Sequence, residues 1–124
     1  MRLTHARWLA AGLAVLAVTA VQACGNSYSP TSPGGGSADV TLTIVGMSGA
    51  NSYSPNPGIV PVGKTVAWRN ADAITHTATS DTGAFDTGAI APGTTSAPIR
   101  MPNAASYPYH CSIHPTMTGT VLVQ

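Results

Sequence analysis

The stretch YPYHCSIHPTM, residues 107–117, carries the most informative pattern in the chain. Its first residues belong to an extended segment, 106–111, and a second extended segment, 118–124, follows it. Between them Cys111, His114 and Met117 recur at every third residue, so one curled loop can bring three side chains round a single point. This stretch therefore predicts two strands and a binding site in the loop that joins them.

Short strand-like segments also fill the chain before this stretch. Period-2 alternation or β-branched composition recurs at 40–44, 58–62, 64–70, 75–80 and 94–101. Turn-forming residues such as Pro92-Gly93 separate these segments, and nothing after residue 38 shows a helical period with caps. About seven to eight short strands spaced by turns predict an all-β domain, an antiparallel β-sandwich over residues 39–124.

The N-terminus has the pattern of a targeting segment. Arg2 and Arg7 precede an apolar run over residues 8–21. This run is too short for a membrane-spanning helix, which needs about 20 residues, and is typical of the core of a signal peptide. We therefore predict that residues 1–23 direct export and are removed.

The run VQACG, residues 21–25, resembles a bacterial lipobox. In lipoproteins the cysteine at this place is lipidated and becomes the mature N-terminus, which predicts lipidation of Cys24. Cleavage after Ala23 that leaves a free thiol is the alternative. Residues 24–38 are dominated by Ser, Pro and Gly, so they are predicted to form a flexible linker between a membrane anchor and the domain.

The charge balance excludes some classes of partner. Charged residues make up 7% of the chain and the formal net charge is +1. From Cys24 onward three basic and four acidic residues remain, a net charge of −1. Such a chain has no basic surface for nucleic acid, and strong electrostatic steering towards a partner is not expected.

The ligand set follows from residue chemistry and elimination. Cys24 and Cys111 are the two cysteines, and a disulfide between them is opposed by the processing site at one and the ligand spacing at the other. After loss of the leader three histidines remain, and His110 directly precedes Cys111, so on a strand the two point to opposite faces. His76 therefore completes a set with Cys111, His114 and Met117.

Two imidazoles, a thiolate and a weak thioether are the ligands of a blue-copper site, which predicts one copper ion as the cofactor. Structural zinc has no use for the methionine, and a c-type haem site needs a second cysteine before the histidine. His110 is predicted to be a solvated or partly packed strand residue, with an electron exit route as the alternative.

The domain resembles the cupredoxins of the plastocyanin and amicyanin group. The matching segments, in the family's order, are 62–70, 76–77, 83–88, 92–93, 107–117 and 119–121. The Cys-x-x-His-x-x-Met spacing is that of the short amicyanin loop. The resemblance implies a cupredoxin-like Greek-key sandwich in which His76 is buried, Cys111 supplies the thiolate, Met117 is axial and the ring edge of His114 reaches the surface.

Two departures from the relatives concern residues beside the ligands. An Asn often follows the first ligand histidine in relatives and ties its strand to the ligand loop, whereas this chain has Thr77. A Pro often stands two residues after the cysteine, whereas this chain has Ile113, which retains a backbone N–H. We expect the Ile113 N–H to donate to the Cys111 sulfur and to raise the reduction potential.

The favoured function is a copper-dependent electron carrier rather than an enzyme. A copper chaperone or storage lipoprotein is the alternative, although such proteins need exposed, exchangeable ligands. A copper enzyme would need further histidines for a second centre. The resemblance implies a monomer that docks redox proteins, such as a c-type cytochrome, an oxidase or a dehydrogenase, through an apolar patch of Pro92 and Pro115 round His114. It is predicted to be periplasmic or extracytoplasmic and lipid-anchored.

Overall fold

Residues 36–124 are described by the structure, a computed structural model. The predicted leader, Cys24 and most of the linker lie outside these residues. The domain contains eight strands: β1 (Val40–Ile44), β2 (Tyr53–Ser54), β3 (Gly58–Val60), β4 (Thr65–Asn70), β5 (Thr79–Ser80), β6 (Ile99–Arg100), β7 (Ala105–His110) and β8 (Thr118–Val123). A short 3₁₀ turn at Gly49–Asn51 follows β1, and among the described residues no helix is long and apolar enough to span a membrane.

The strands form two four-stranded sheets, ordered β2-β1-β4-β6 and β3-β8-β7-β5. The predicted β-sandwich and its number of strands are therefore confirmed. The sheets are mixed rather than purely antiparallel, because β1 pairs with β4 and β3 with β8 in parallel. The reason is the path of the chain: β3 belongs to the second sheet, so the chain re-enters the first sheet at the end where β1 began.

The core forms where alternate residues of the two sheets meet. Trp68 on β4 and Tyr109 on β7 are fully buried with ring centroids 5.5 Å apart, and Tyr53 packs edge-on to Tyr109 at 4.7 Å. Gly119 lies opposite Tyr109, and a Cβ at this position would come within 2.5 Å of the tyrosine ring. The glycine therefore allows the ring to lie flat against β8.

Two predicted extended segments are shorter as strands than the sequence suggests. Only β5 remains of 75–80 and only β6 of 94–101. Side chains interrupt the ladders: the Trp68 N–H donates to the Ser96 hydroxyl at 3.0 Å instead of to a backbone carbonyl. Within 75–80, His76 exchanges backbone hydrogen bonds with Ile90, at 3.2 and 2.8 Å, outside any strand.

The two ends of the sandwich are built from different loops and turns. At one end β4 runs into the loop 71–78, and the loop 111–117 connects β7 to β8. We call this the site end. At the opposite end β1 and β4 begin side by side, next to the turn that leads into β7.

Candidate metal centre

The structure brings together three of the predicted ligands at the site end. His76, Cys111 and His114 each offer one donor atom, and the three atoms all lie within 4.8 Å of one another. The Cys111 sulfur is 3.9 Å from His76 Nδ1 and 3.7 Å from His114 Nδ1, and the two nitrogens are 3.2 Å apart. His76 and Cys111 are fully buried, whereas His114 is partly exposed.

This triangle has the right size for a single metal ion. A point equidistant from the three atoms lies about 2.1 Å from each, close to the metal–nitrogen bond length of about 2.0–2.1 Å known for zinc. One sulfur and two imidazole nitrogens favour a soft or borderline transition metal over magnesium or calcium, which prefer oxygen. The residues present therefore fit a transition-metal ion without any movement of the backbone.

Backbone hydrogen bonds close the loop that carries Cys111 and His114. The Cys111 N–H donates to the Met117 carbonyl at 3.1 Å, and the Met117 N–H donates to the His114 carbonyl at 2.9 Å. Met117 is fully buried and packs with the apolar core. These bonds constrain the backbone of the loop from which the Cys111 and His114 side chains project.

Asn70 organises the segment that leads to His76. Its side chain is fully buried at the end of β4 and donates to the carbonyls of Ile74, at 2.7 Å, and Ile90, at 2.9 Å. Its Oδ1 accepts the N–H of Asp72 at 2.9 Å. Since a buried amide must find partners, these three bonds determine the course of the chain from β4 to His76.

A backbone amide from the His76 segment contacts the Cys111 sulfur. The Thr77 N–H donates to Sγ at 3.3 Å. Burial raises the pKa of the Cys111 thiol, but the Thr77 amide and the neighbouring His76 ring and His114 outweigh burial, so the pKa falls from 9.0 to about 6. The thiolate, which is the form that binds metal, is therefore favoured near neutral pH.

Our expectation for Ile113 was wrong in its geometry. Among residues 36–124, the amides that donate to Cys111 Sγ are those of Thr77, at 3.3 Å, and His114, and Ile113 is not among them. The reason is tertiary, since the His76–Thr77 segment lies directly beside the sulfur. The Ile113 side chain is half exposed at the surface of the site end.

The side chain of Thr77 links the two segments of the site. Thr77 Oγ1 accepts the Ser112 N–H at 2.8 Å and lies 3.1 Å from the Ser112 hydroxyl. The Tyr53 hydroxyl donates to the Thr77 carbonyl at 2.7 Å and fixes the segment from the core side. Thr77 thus connects the His76 segment to the ligand loop, a role that the resemblance assigns to an asparagine in relatives.

Other predicted residues lie apart from the three donor atoms. The His110 ring is turned towards Asp81, with Nδ1 2.5 Å from Oδ1, and both side chains are substantially exposed. Pro92 and Pro115 are exposed, as is Ile74, an apolar side chain in the loop before His76 that sequence reasoning did not single out.

Sequence reasoning also missed Asp72. Its Oδ2 lies 2.8 Å from His76 Nε2, on the side of the ring away from the donor triangle. Hydrogen bonds from the His76 side chain and the Ala73 N–H hold the pKa of Asp72 below its usual range. The signal available in the sequence was an acid four residues before a ligand, which is common in loops that bind nothing.

Comparisons with known proteins find relatives among solved structures. No protein-family model and no curated protein matches the chain. Among solved structures, a purple cupredoxin from Nitrosopumilus maritimus is 28% identical with a TM-score of 0.61, over 69% of this chain and all of that one. An oxidised amicyanin variant is 26% identical with a TM-score of 0.60, over 68% of this chain and 81% of amicyanin.

A copper-containing nitrite reductase from Thermus scotoductus is 32% identical over 68% of this chain, with a TM-score of 0.59, but the match spans only 22% of that enzyme. The prediction of a single copper ion as cofactor is confirmed. The neighbours among solved structures are cupredoxins, and the three donor atoms are spaced to hold one ion. The sandwich, the donor triangle and these neighbours together show that the chain resembles the cupredoxins in its fold and in the residues placed to hold copper.

Proposed function

We propose that this chain is an exported electron carrier whose single copper ion would be held by His76, Cys111 and His114, with Met117 as a fourth, weak ligand. The observation that carries the proposal is the donor triangle, with sides of 3.2 to 3.9 Å between one sulfur and two ring nitrogens. The complete set of two histidines, one cysteine and a weak methionine is that of a blue-copper site.

When bound, copper supplies a one-electron couple between Cu(II) and Cu(I). The residues of the chain keep the site in one geometry. The Thr77 amide and the closed loop 111–117 fix the thiolate, and the surrounding core excludes water from His76 and Cys111. A site held by buried, hydrogen-bonded elements rearranges little between oxidation states, which favours fast electron transfer.

His114 is the proposed route for electrons because it is the partly exposed member of the triangle. A partner would dock on the surface round it, with Pro92 and Pro115 as predicted contacts, and the exposed side chains of Ile74 and Ile113 add apolar area at the site end. The small net charge favours apolar docking over ion pairing. A c-type cytochrome, an oxidase or a dehydrogenase remains the proposed class of partner.

The proposed location is outside the cytoplasm, on a lipid anchor. The support lies in the sequence: the signal-like segment 1–23, Cys24 at the processing site and the linker over 24–38. Such a tether would keep a monomeric domain near membrane-bound redox proteins while leaving it free to rotate.

The alternative, a copper chaperone or storage lipoprotein, has less support. Delivery of an ion to another protein requires ligands that the acceptor can reach. Here two of the three donor side chains are fully buried. Retention of copper through repeated reduction and reoxidation separates the two functions, since a carrier keeps its ion in both states.

The visible and EPR spectra of the purified full chain loaded with Cu(II) test the proposal. We expect an intense thiolate-to-copper charge-transfer band and a narrow copper hyperfine splitting. Cys111→Ser should abolish the band, whereas Cys24→Ser, the matched control, should leave it unchanged. A pale protein with an ordinary tetragonal copper signal would contradict the proposed function.

A further inference from the structure

The two ring nitrogens of His76 face different surroundings. Nδ1 is turned towards Cys111 and His114, whereas Nε2 contacts Asp72 Oδ2 at 2.8 Å. An ionised carboxylate can only accept hydrogen bonds, so the ring must donate from Nε2. A neutral imidazole carries one proton, and placing it on Nε2 leaves the lone pair of Nδ1 free for a metal ion.

Asp72 is itself held in place. Its Oδ1 accepts the Ala73 N–H at 2.7 Å, and its own N–H donates to the buried Asn70 side chain at 2.9 Å. Asn70 is in turn anchored to two backbone carbonyls at the end of β4. A continuous chain of hydrogen bonds therefore runs from the rigid sheet through Asn70 and Asp72 to the His76 ring.

We infer that Asp72 is a positioning residue of the metal centre, which orients the His76 ring, fixes its tautomer and adds a negative charge close to the ion. This inference rests on the proposed function. Carboxylates hydrogen-bonded to a metal-binding histidine raise its basicity as a ligand. The added negative charge stabilises the more highly charged Cu(II) state over Cu(I), so Asp72 lowers the reduction potential.

His110 and Asp81 supply a matched control within the same domain. They form a second histidine–aspartate contact, with Nδ1 2.5 Å from Oδ1, but it is largely exposed and His110 is not part of the donor triangle. The loss of one carboxylate charge can thus be compared at a ligand and away from it.

The reduction potentials of the copper-loaded full chain, Asp72→Asn and Asp81→Asn test the inference. Asparagine can still accept from Nε2, so we expect Asp72→Asn to keep the charge-transfer band. Its ratio of Cu(II) to Cu(I) affinity should fall by about tenfold, which for a one-electron couple is a rise of about 59 mV. Asp81→Asn should change the ratio by less than about twofold. Equal shifts in the two variants would overturn the inference.

Nitrogen NMR of the metal-free full chain gives a second, independent measurement. At mildly alkaline pH we expect the His76 proton on Nε2 in the wild-type protein, and a mixture of tautomers in Asp72→Leu, which has no acceptor. A wild-type proton on Nδ1 would overturn the inference even if the variants fail to fold. Failure of the proposed function is distinct, because it would remove the charge-transfer band from the wild-type protein while leaving this tautomer measurement intact.

Discussion

The two ends of the sandwich each hold an aspartate against a backbone amide, but with different consequences. At the site end Asp72 contacts the buried His76 ring at 2.8 Å. At the opposite end Asp39 accepts the N–H and the hydroxyl of Thr65, at 2.9 and 2.8 Å, and lies 3.3 Å from Lys64. The first contact acts on a candidate ligand, whereas the second only fastens the start of β1 to the start of β4.

Burial explains the difference. At the site end the polar side chains of Asn70, His76 and Thr77 are enclosed, so each must find partners and each contact constrains the backbone. At the opposite end water can replace a lost partner, because Asp39 and Lys64 are both about half exposed. The same hydrogen bond is therefore worth more at the site end, and this difference can be measured.

Of the three predictions, the replacement of Asn70 should change the free energy of unfolding most. Asn70→Ala removes the side-chain donor to the Ile74 and Ile90 carbonyls and the acceptor of the Asp72 N–H, and each lost partner costs about 1–3 kcal/mol. We expect the free energy of unfolding to fall by about 3 kcal/mol in urea titrations. The matched control is Asn103→Ala, an exposed asparagine in the turn before β7, which should change it by less than about 0.5 kcal/mol. Similar losses in the two variants would contradict the comparison of the two ends.

Thr77→Val should lower the free energy of unfolding by an intermediate amount. Valine keeps the shape and the backbone N–H to the Cys111 sulfur but removes the oxygen that accepts the Ser112 N–H at 2.8 Å. We expect a loss of about 1–2 kcal/mol in the free energy of unfolding and a broader copper charge-transfer band as the loop 111–117 loosens. Thr65→Val at the opposite end should cost less than about 1 kcal/mol and leave the band unchanged. An unaltered band in Thr77→Val would show that Thr77 does not position the loop.

The smallest effect is expected at Asp39, whose contribution to the free energy of unfolding disappears in acid. The Thr65 amide and hydroxyl, followed by Lys64, hold the pKa of Asp39 below its usual 3.8. Because the folded pKa is the lower one, the contribution of Asp39 is present above the unfolded value and is lost as the pH falls through the folded value. Urea midpoints measured from pH about 7 down to about 2 should therefore fall less steeply in Asp39→Asn than in the wild type. Parallel curves would show that the contact does not stabilise the fold.

The fold was largely predictable from local patterns, with two instructive exceptions. Alternation along β1 and β4 and the turns between segments predicted a sandwich of short strands. Strand direction was not predictable in the same way, because the parallel pairing of β1 with β4 depends on β3 joining the other sheet. The two-residue strand β2 was missed, since its place is decided by pairing with β1 rather than by its own composition.

Local spacing and residue chemistry were enough to predict the donor residues and the resemblance to cupredoxins. Cys111, His114 and Met117 lie within seven residues, so their proximity is a local property, and elimination among few histidines added His76. The surroundings of those residues, in contrast, depend on how distant segments of the chain pack together. Thr77 is 34 residues from Cys111, and its amide replaces the Ile113 amide as donor to the sulfur. Asp72 acquires its place only through Asn70 and the end of β4. Contacts such as these form between segments that are distant in the sequence. The spacing of residues within one segment therefore cannot predict them.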